Sequence, residues 1–198
     1  MNAITISRQM GSQGDELAAQ VAQRLGWRCV GRDIINQAAL AAGVPQVALA
    51  EIDELGFLGL RPSARDRQLY QSQVERIIRD LANEGGVAIV GRGSQVVLGH
   101  RPDVLRLRVI APLASRIAWL QQQKVISAEA ARAWLAASDK ARARYLRRGY
   151  GVQVEDPTLY HLVVNTGLLD LGLAVNLVVH TLRAWNGPRG EEKEVPIL

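Results

Sequence analysis

A glycine-containing turn between a strand and a helix at the start of the chain constrains the fold more than any other feature. The β-branched stretch 3–6 predicts a short strand, and Leu17, Val21 and Leu25 recur at spacings of four that predict a helix over 15–25. A helix that begins directly after such a turn presents unpaired N–H groups and a positive dipole end. The chain therefore opens with a segment suited to binding an anion such as phosphate.

Strands and helices alternate along the remainder of the chain. Further strands are predicted at 27–30, 87–90, 104–110 and 162–165. Further helices are predicted near Asp33 and at 45–55, 66–83, 113–123, 128–148 (in one or two pieces) and 169–185, with a loop at 56–63. This alternation predicts an α/β fold in which helices cover both faces of a parallel sheet and ligands bind beyond the carboxyl ends of the strands. Residues 187–198 are expected to form a flexible tail.

The length and composition fit one globular domain with an anionic partner. With 198 residues, 48% apolar and 22% charged, the chain can bury a sizeable core. A formal charge of +5 suits a polyanion or a phosphorylated small molecule. Cys29 is the single cysteine, which excludes an intrachain disulfide and indicates a cytoplasmic protein. No apolar run is long enough to span a bilayer, so we expect no membrane association.

The opening turn is similar to a phosphate-binding P-loop in its layout but not in its residues. The orthodox motif has a glycine, four variable residues and then Gly-Lys-Ser/Thr, in which the lysine neutralises phosphates. In the same frame Arg8 takes the first glycine position, Gln13 the second, and Gly14 the lysine position. Taken alone, the segment fits a tight structural turn equally well.

Several arginines stand at positions that favour an anion. Arg92 follows the strand at 87–90, and a side chain at the carboxyl end of a parallel strand points toward the ligand crevice. Its planar guanidinium suits bidentate phosphate recognition, and a surface ion pair is the alternative. Arg116 lies near the start of its helix, where the positive end of the helix dipole disfavours a cation. Its presence there indicates an anion nearby. The arginines of 142–148 encircle a helix axis, so a solvated helix or a nucleic-acid patch is as compatible with them as a ligand site.

Short motifs in a fixed order resemble the cytidylate kinase-like family over about residues 3–183. They are Ile-Thr-Ile-Ser-Arg-x-x-Gly-Ser-x-Gly from Ile4, Val-Gly-Arg from Val90, Ala-Pro-Leu-x-x-Arg-Ile from Ala111, Asp-Lys-x-Arg-Ala-x-Tyr from Asp139, Asp-Pro-x-x-Tyr from Asp156 and Val-Asn-Thr from Val164. The resemblance implies a P-loop kinase fold, a three-layer sandwich with a five-stranded parallel sheet. It also implies a nucleoside-monophosphate-kinase-like domain at 1–186 that carries a helical lid at about 125–155.

The same resemblance implies phosphoryl transfer from ATP, with Mg²⁺, to a nucleoside monophosphate, with CMP as the default acceptor. It places the donor phosphates against Arg8, Gly11, Ser12, Gln13, Gly14, Asp15 and Glu16. It places the acceptor against Asp33 and Arg92, with Arg92 gripping the phosphate. It implies catalytic roles for Arg8, Arg116, Asp139 and Arg142, whose cationic members would stabilise charge on the transferred group.

The chain departs from the pattern of the family at two places. Where family members look like Gly-Ser-Gly-Gly-Arg-Glu, this loop has Gln13 for a glycine and Asp15 for a cation. An acid beside a triphosphate costs Coulomb energy unless a metal bridges them, so Asp15 or Glu16 is a candidate Mg²⁺ ligand. Gly93 stands where cytidylate kinases look to have Asp, which bears on selectivity for a pyrimidine.

The altered loop motivates an alternative function, a catalytically inactive pseudokinase that senses a nucleotide or another anion with the same fold. Nucleic-acid binding through the arginines of 142–148 is a third interpretation. The lack of zinc-finger, helix-turn-helix and aromatic-rich RNA-binding signatures disfavours it. We therefore expect small nucleotides as partners, and the sequence leaves the oligomeric state open.

Overall fold

The computed structural model describes residues 2–45 and 63–185 and contains a five-stranded sheet in the order β2-β3-β1-β4-β5, with every pairing parallel. Its strands are β1 (Ala3–Arg8), β2 (Arg28–Val30), β3 (Val87–Val90), β4 (Val104–Ile110) and β5 (Leu162–Asn165). Its helices are α1 (Gly14–Leu25), α2 (Arg32–Ala41), α3 (Ala64–Glu84), α4 (Ser94–Val97), α5 (Leu113–Gln123), α6 (Ala128–Tyr150) and α7 (Leu171–Ala184), with a 3-10 turn at Pro157–Leu159. The five strands predicted from the sequence are confirmed.

β1 is the central strand because its side chains suit burial on both faces. Ile4, Thr5 and Ile6 are fully buried, as expected for a strand with sheet neighbours on either side and helices above and below. Ile6 pairs with Val90 of β3 on one side and with Leu107 of β4 on the other. The strand continues two residues beyond the predicted end at 6 and so carries its last residues to the carboxyl edge of the sheet.

Helices cover both faces of the sheet and form the outer layers of a sandwich. Apolar residues of α1 and α7 pack on one face, and those of α2 and α3 pack on the other. α5 and α6 pack against each other through a smaller core of Ile117, Leu120, Ala131 and Leu135. This is the predicted three-layer α/β architecture. In residues 2–45 and 63–185, no helix combines the length and apolar character needed to cross a membrane.

The differences from the predicted boundaries have local causes. α7 begins at Leu171 rather than at 169 because the Asp170 carboxylate accepts a hydrogen bond from the Leu173 N–H at 2.9 Å and caps the helix. α6 is one continuous helix. α4 and the 3-10 turn were not predicted, since three or four residues are too short to show a period. The predicted helix at 45–55, the loop at 56–63 and the tail at 187–198 lie outside the described residues, apart from Pro45 and Ser63.

Candidate functional site

The loop between β1 and α1 turns sharply and enters the helix without a side-chain cap. Gly11 has a φ of 76° and Gln13 a φ of 55°, both in the left-handed region. Gln13 is the N-cap residue of α1, and its side chain makes no capping hydrogen bond. The first-turn N–H groups of α1 therefore keep their capacity to bind an anion. A non-glycine residue in this strained conformation is a feature that clusters at ligand-binding loops.

Ser12 ties the loop to the neighbouring strand ends. Its side chain is fully buried, and its hydroxyl donates to the carbonyl of Gln9 at 2.8 Å. The Ser12 carbonyl accepts a hydrogen bond from the Thr166 hydroxyl, just after β5, at 2.7 Å. Because the hydroxyl proton of Ser12 is used on the backbone, Ser12 shapes the loop and leaves anion binding to main-chain N–H groups.

Arg8 lies across this loop in a space that glycines leave open. A Cβ atom on Gly14 would lie 2.5 Å from the Arg8 Cβ, and one on Gly91 would lie 2.9 Å from the Arg8 Nη1. The Arg8 Nε donates to the Asp15 carboxylate at 3.0 Å, with exposed side-chain fractions of 16% and 67%. The unexpected acid in the loop therefore pairs with Arg8, and glycine at position 14 makes room for the Arg8 side chain.

Arg8, Arg92 and Arg142 line one cleft of about 630 Å³, counting the space open to solvent. We call it the first cleft, and its other lining residues are Ser7, Arg32, Val90, Gly91, Gly93, Gln95, Ala141, Tyr145, Leu146 and Val154. The end of β1, the turn between β3 and α4, and α6 each contribute an arginine. Residues that are far apart in the sequence thus line one cleft.

Arg92, in the first cleft, combines a strained backbone conformation with buried guanidinium nitrogens that lack hydrogen-bond partners among the described residues. Its φ is 56°, and its Nε and Nη2 atoms are buried without a hydrogen-bond partner among the described residues. Burial lowers the pKa of the Arg92 guanidinium, Tyr70 and Tyr145 oppose that shift, and the charges of Arg32 and Arg8 add to it. A buried cation without a partner is costly, and an anionic ligand would remove that cost.

Gly93 is a glycine because an aromatic ring fills the space beside it. A Cβ atom at this position would lie 2.4 Å from the Cε2 atom of Tyr150, and the φ of Gly93 is 69°. The Tyr150 ring packs edge-on against Tyr145, with 6.1 Å between ring centres. Burial raises the pKa of Tyr150 to about 12, so its phenol stays neutral at physiological pH. Packing therefore accounts for the absence of an acid at position 93.

Arg116 and Asp139 link the loop between β1 and α1 to helix α6 through hydrogen bonds. Arg116 is 4% exposed, its Nε donates to the carbonyl of Met10 at 2.7 Å, and its Nη2 donates to the Asp139 carboxylate at 2.7 Å. Gly11 packs on the same turn of α5, since its Cβ would lie 2.9 Å from the Arg116 carbonyl. These contacts position the loop relative to α6, and the predicted catalytic roles of the two residues stay predictions.

A second cleft of about 300 Å³ adjoins the first. Arg8 and Arg142 line both clefts. The other residues that line the second cleft are Gln9, Arg108, Asp139, Val154 and Glu155. The two clefts therefore share two arginines, the first has Arg32 and Arg92 in addition, and the second has Arg108.

The structure does not bring Asp33 into either cleft. Its carboxylate is 85% exposed and lies 3.4 Å from the Arg32 guanidinium, and Arg32 lines the first cleft instead. Glu16, the predicted metal ligand, is half-buried in the first turn of α1. In the described parts of the chain, no group of three or more His, Cys, Asp or Glu residues is placed to hold a metal ion. Metal binding by Glu16 stays a prediction.

Sequence reasoning missed Ser7, Arg32, Arg108 and Tyr160 as residues of this region. Ser7 directly precedes Arg8, and Arg32 directly precedes Asp33. Their positions near the carboxyl ends of β1 and β2 were therefore the sequence feature that could have identified them. Arg108 carried a further signal, because charged residues such as Arg106 and Arg108 are exceptional within a strand when helices cover both faces of the sheet.

Comparison with known proteins agrees with this geometry. The model of the cytidylate kinase-like family matches residues 3–168. The chain is 27% identical over 196 residues to a cytidylate kinase from Natronomonas pharaonis, an alignment that covers 98% of this chain and 95% of that protein. It is also 27% identical over 150 residues to a uronate isomerase from Corynebacterium glutamicum, which covers 76% of this chain but only 29% of that protein.

Solved structures share the fold at low sequence identity. An uncharacterized protein from Eubacterium ventriosum has a TM-score of 0.75 and 17% identity, covering 93% of this chain and 99% of its own. A shikimate kinase from Bacteroides thetaiotaomicron has a TM-score of 0.56 and 10% identity, covering 92% and 98%. These similarities show a P-loop kinase α/β fold.

Proposed function

The chain belongs to the cytidylate kinase-like family, and we propose that it transfers a phosphoryl group from ATP to a nucleoside monophosphate, with CMP as the default acceptor. The convergence of Arg8, Arg92 and Arg142 beside an uncapped helix start carries the proposal. Phosphoryl transfer requires positioning and charge neutralisation more than covalent participation by the protein. Arginines from distant parts of the chain can supply both.

On the donor side, the loop provides groups that fit a polyphosphate. Main-chain N–H groups from Gly11 to Gly14 lead into an uncapped helix start, and Arg8 lies over them in the space left by Gly14. Mg²⁺ bound to ATP would neutralise phosphate oxygens, and Glu16 is the protein ligand that we propose for it. Asp15 holds the Arg8 guanidinium beside the loop.

On the acceptor side, the first cleft provides the phosphate site. Arg92 would bind the phosphate of the monophosphate, since its buried Nε and Nη2 atoms have no other partner among the described residues. Arg32 lines the same cleft and adds positive charge near that phosphate. The proposed contact turns a costly buried cation into a charge-assisted hydrogen-bonded pair.

Arg8 and Arg142 line both clefts and are therefore suited to contact the phosphoryl group as it passes from the donor to the acceptor. Charge in the transition state spreads over the oxygens of the moving phosphoryl group, and a fixed cation beside those oxygens stabilises it. Arg116 and Asp139 keep the loop and α6 at the spacing that this arrangement needs. We also propose that the protein works in the cytoplasm, where its nucleotide substrates are made.

A turnover assay with a panel of acceptors tests the proposal. ATP and Mg²⁺ are supplied with each nucleoside monophosphate in turn, and ADP release is measured. We expect release that depends on an acceptor and stops when Mg²⁺ is chelated. The pseudokinase alternative predicts nucleotide binding with no acceptor-dependent release of ADP. The Arg8–Asp15 ion pair favours this alternative, because it engages the guanidinium that phosphoryl transfer would require.

Gly14→Ala is expected to abolish ATP binding without unfolding the protein. The new Cβ atom would lie 2.5 Å from the Arg8 Cβ, which side-chain rotation cannot move, so the first turn of α1 must shift away from the end of β1 and displace the loop N–H groups. Titration calorimetry with ATP measures the loss. Gly31→Ala is the matched control, because nothing lies within 4 Å of the corresponding Cβ position at the start of α2. Equal ATP affinity in the two variants would refute the role of this loop.

A further inference from the structure

Arg108, near the carboxyl end of β4, is a buried cation without a carboxylate partner in the described structure. The residue is 6% exposed, and none of the ion pairs within residues 2–45 and 63–185 includes it. Its Nη1 donates to the Ser7 hydroxyl at 3.1 Å, and its Cζ lies 5.6 Å from the centre of the Tyr160 ring. A hydroxyl and a ring compensate a buried charge incompletely, so the position favours an additional anion.

The partners of Arg108 hold its guanidinium in one orientation. Ser7 and Tyr160 are themselves buried. The Tyr160 hydroxyl donates to the carbonyl of Val154 at 2.9 Å and lies 3.4 Å from the Ser7 hydroxyl. A cation that is fixed before the ligand arrives loses little conformational entropy on binding, so Arg108 is preorganised.

The location of Arg108 points to the donor side of the reaction. It lines the second cleft, together with Gln9, the first residue after β1 in the phosphate loop. Arg92 lines the first cleft, and Arg8 with Arg142 lines both. Each cleft therefore has an arginine that takes part in no ion pair of the described residues, Arg92 in the first and Arg108 in the second, and Arg8 and Arg142 line both. This arrangement suits two phosphate-bearing substrates, one on each side of the phosphoryl group in transfer.

The acids of the second cleft do not neutralise Arg108. Asp139 is paired with Arg116 at 2.7 Å. Glu155 is exposed, where water and salt screen its charge. The charge of Arg108 is therefore available to an anion that enters the cleft beside the loop.

We propose that Arg108 binds the polyphosphate of the donor nucleotide in the second cleft and replaces the positive charge of the missing P-loop lysine. Gly14 occupies the lysine position in the loop and Arg8 is already paired with Asp15, so a further cation from another element suits the charge of a polyphosphate. This inference rests on the proposed phosphoryl transfer and extends it to a donor-binding residue on β4. Neither the loop motif nor the family resemblance assigns a role to Arg108.

Arg108→Met tests the inference in the 198-residue chain, because methionine keeps apolar packing on Tyr160 and removes the charge. We expect the dissociation constant for ATP with Mg²⁺ to rise about tenfold or more, the loss of one charge-assisted contact. We expect the constant for CMP, or for the acceptor found in the turnover panel, to stay within about twofold, since Arg92 holds that phosphate. Calorimetry measures both constants, and thermal unfolding is followed in parallel.

Arg108→Lys serves as the second variant and keeps a cation over Tyr160. Its expected ATP affinity lies between those of the wild type and Arg108→Met, and it carries the test if the methionine variant does not fold. Unchanged ATP affinity in a folded variant, or equal losses for ATP and acceptor, would overturn the inference. Failure of the proposed function gives a different result from failure of the inference. In that case the wild-type protein binds ATP but releases no ADP when an acceptor is added. A wild type that binds no ATP overturns both.

Discussion

Arg92→Gly is expected to weaken acceptor binding by at least about 30-fold while leaving the protein as stable as before or more stable. Truncating one partner of a buried charge pair costs about 2–5 kcal/mol, and each 1.4 kcal/mol is about tenfold in affinity. The stability gain follows from the φ of 56°, which glycine adopts without the cost of a Cβ, and from the loss of buried polar atoms that lack partners among the described residues. Titration with CMP and thermal unfolding measure the two effects.

Arg79→Ala is the matched control for Arg92. Arg79 forms an exposed ion pair with Glu75 one turn away on α3, so its loss should change acceptor affinity and stability little. ATP binding should remain close to the wild-type value in both variants. An Arg92→Gly protein that binds the acceptor as tightly as the wild type would show that the phosphate site lies elsewhere.

Arg8→Met is expected to lower kcat by about 10³-fold, the scale of an arginine that stabilises transferring phosphoryl charge. The effect should exceed any rise in the KM for either substrate, because Arg8 lines both clefts and serves the group between them. The substitution also leaves Asp15 without its partner at 3.0 Å, which adds negative charge near the loop. Steady-state kinetics with ATP and acceptor varied separately provide the kcat and both KM values.

The double variant Arg8→Met with Asp15→Asn separates these two causes. Restored activity in the double variant would assign the defect to the orphaned acid rather than to lost transition-state stabilisation. Asp15→Asn alone should retain most of the activity, because the Arg8 side chain is still held between Gly14 and Gly91. A kcat near the wild-type value in Arg8→Met would contradict the catalytic role of Arg8.

The strands were predictable because each is marked by its own composition. β3 and β4 match their predicted bounds, since short apolar β-branched runs flanked by glycine or proline have few alternative conformations. Helix ends were less accurate where a side chain decides them, as Asp170 does for α7. The alternation of strands and helices predicted the order of the layers, whereas the order of the strands within the sheet was not predicted.

The site was only partly predictable because its residues meet through tertiary packing. Arg92 and Arg142 were identified from motifs, and the structure places both in one cleft with Arg8. Asp33 was predicted on the acceptor side, but the first turn of α2 directs its carboxylate to solvent and leaves Arg32 at the cleft. The pairing of Asp15 with Arg8 also depends on the loop conformation, which no residue pattern specifies.

The burial of Arg108 shows a further limit of sequence patterns. Arg106 and Arg108 are two residues apart in β4 and therefore lie on one face of the sheet, but this spacing carries no information about which elements cover that face. Tyr160 and Ser7 enclose Arg108, and they come from positions 52 residues later and 101 residues earlier in the chain. Contacts over such separations become visible only once the strand order is known.

A structure of the protein with a non-hydrolysable ATP analogue, Mg²⁺ and CMP would test the assignment of the two phosphate sites. We expect the CMP phosphate at about 3 Å from the Arg92 guanidinium. We expect the triphosphate on the loop of Gly11 to Gly14, with Arg8 and Arg142 between the two ligands. A monophosphate bound away from Arg92, or a triphosphate bound away from the loop, would contradict it.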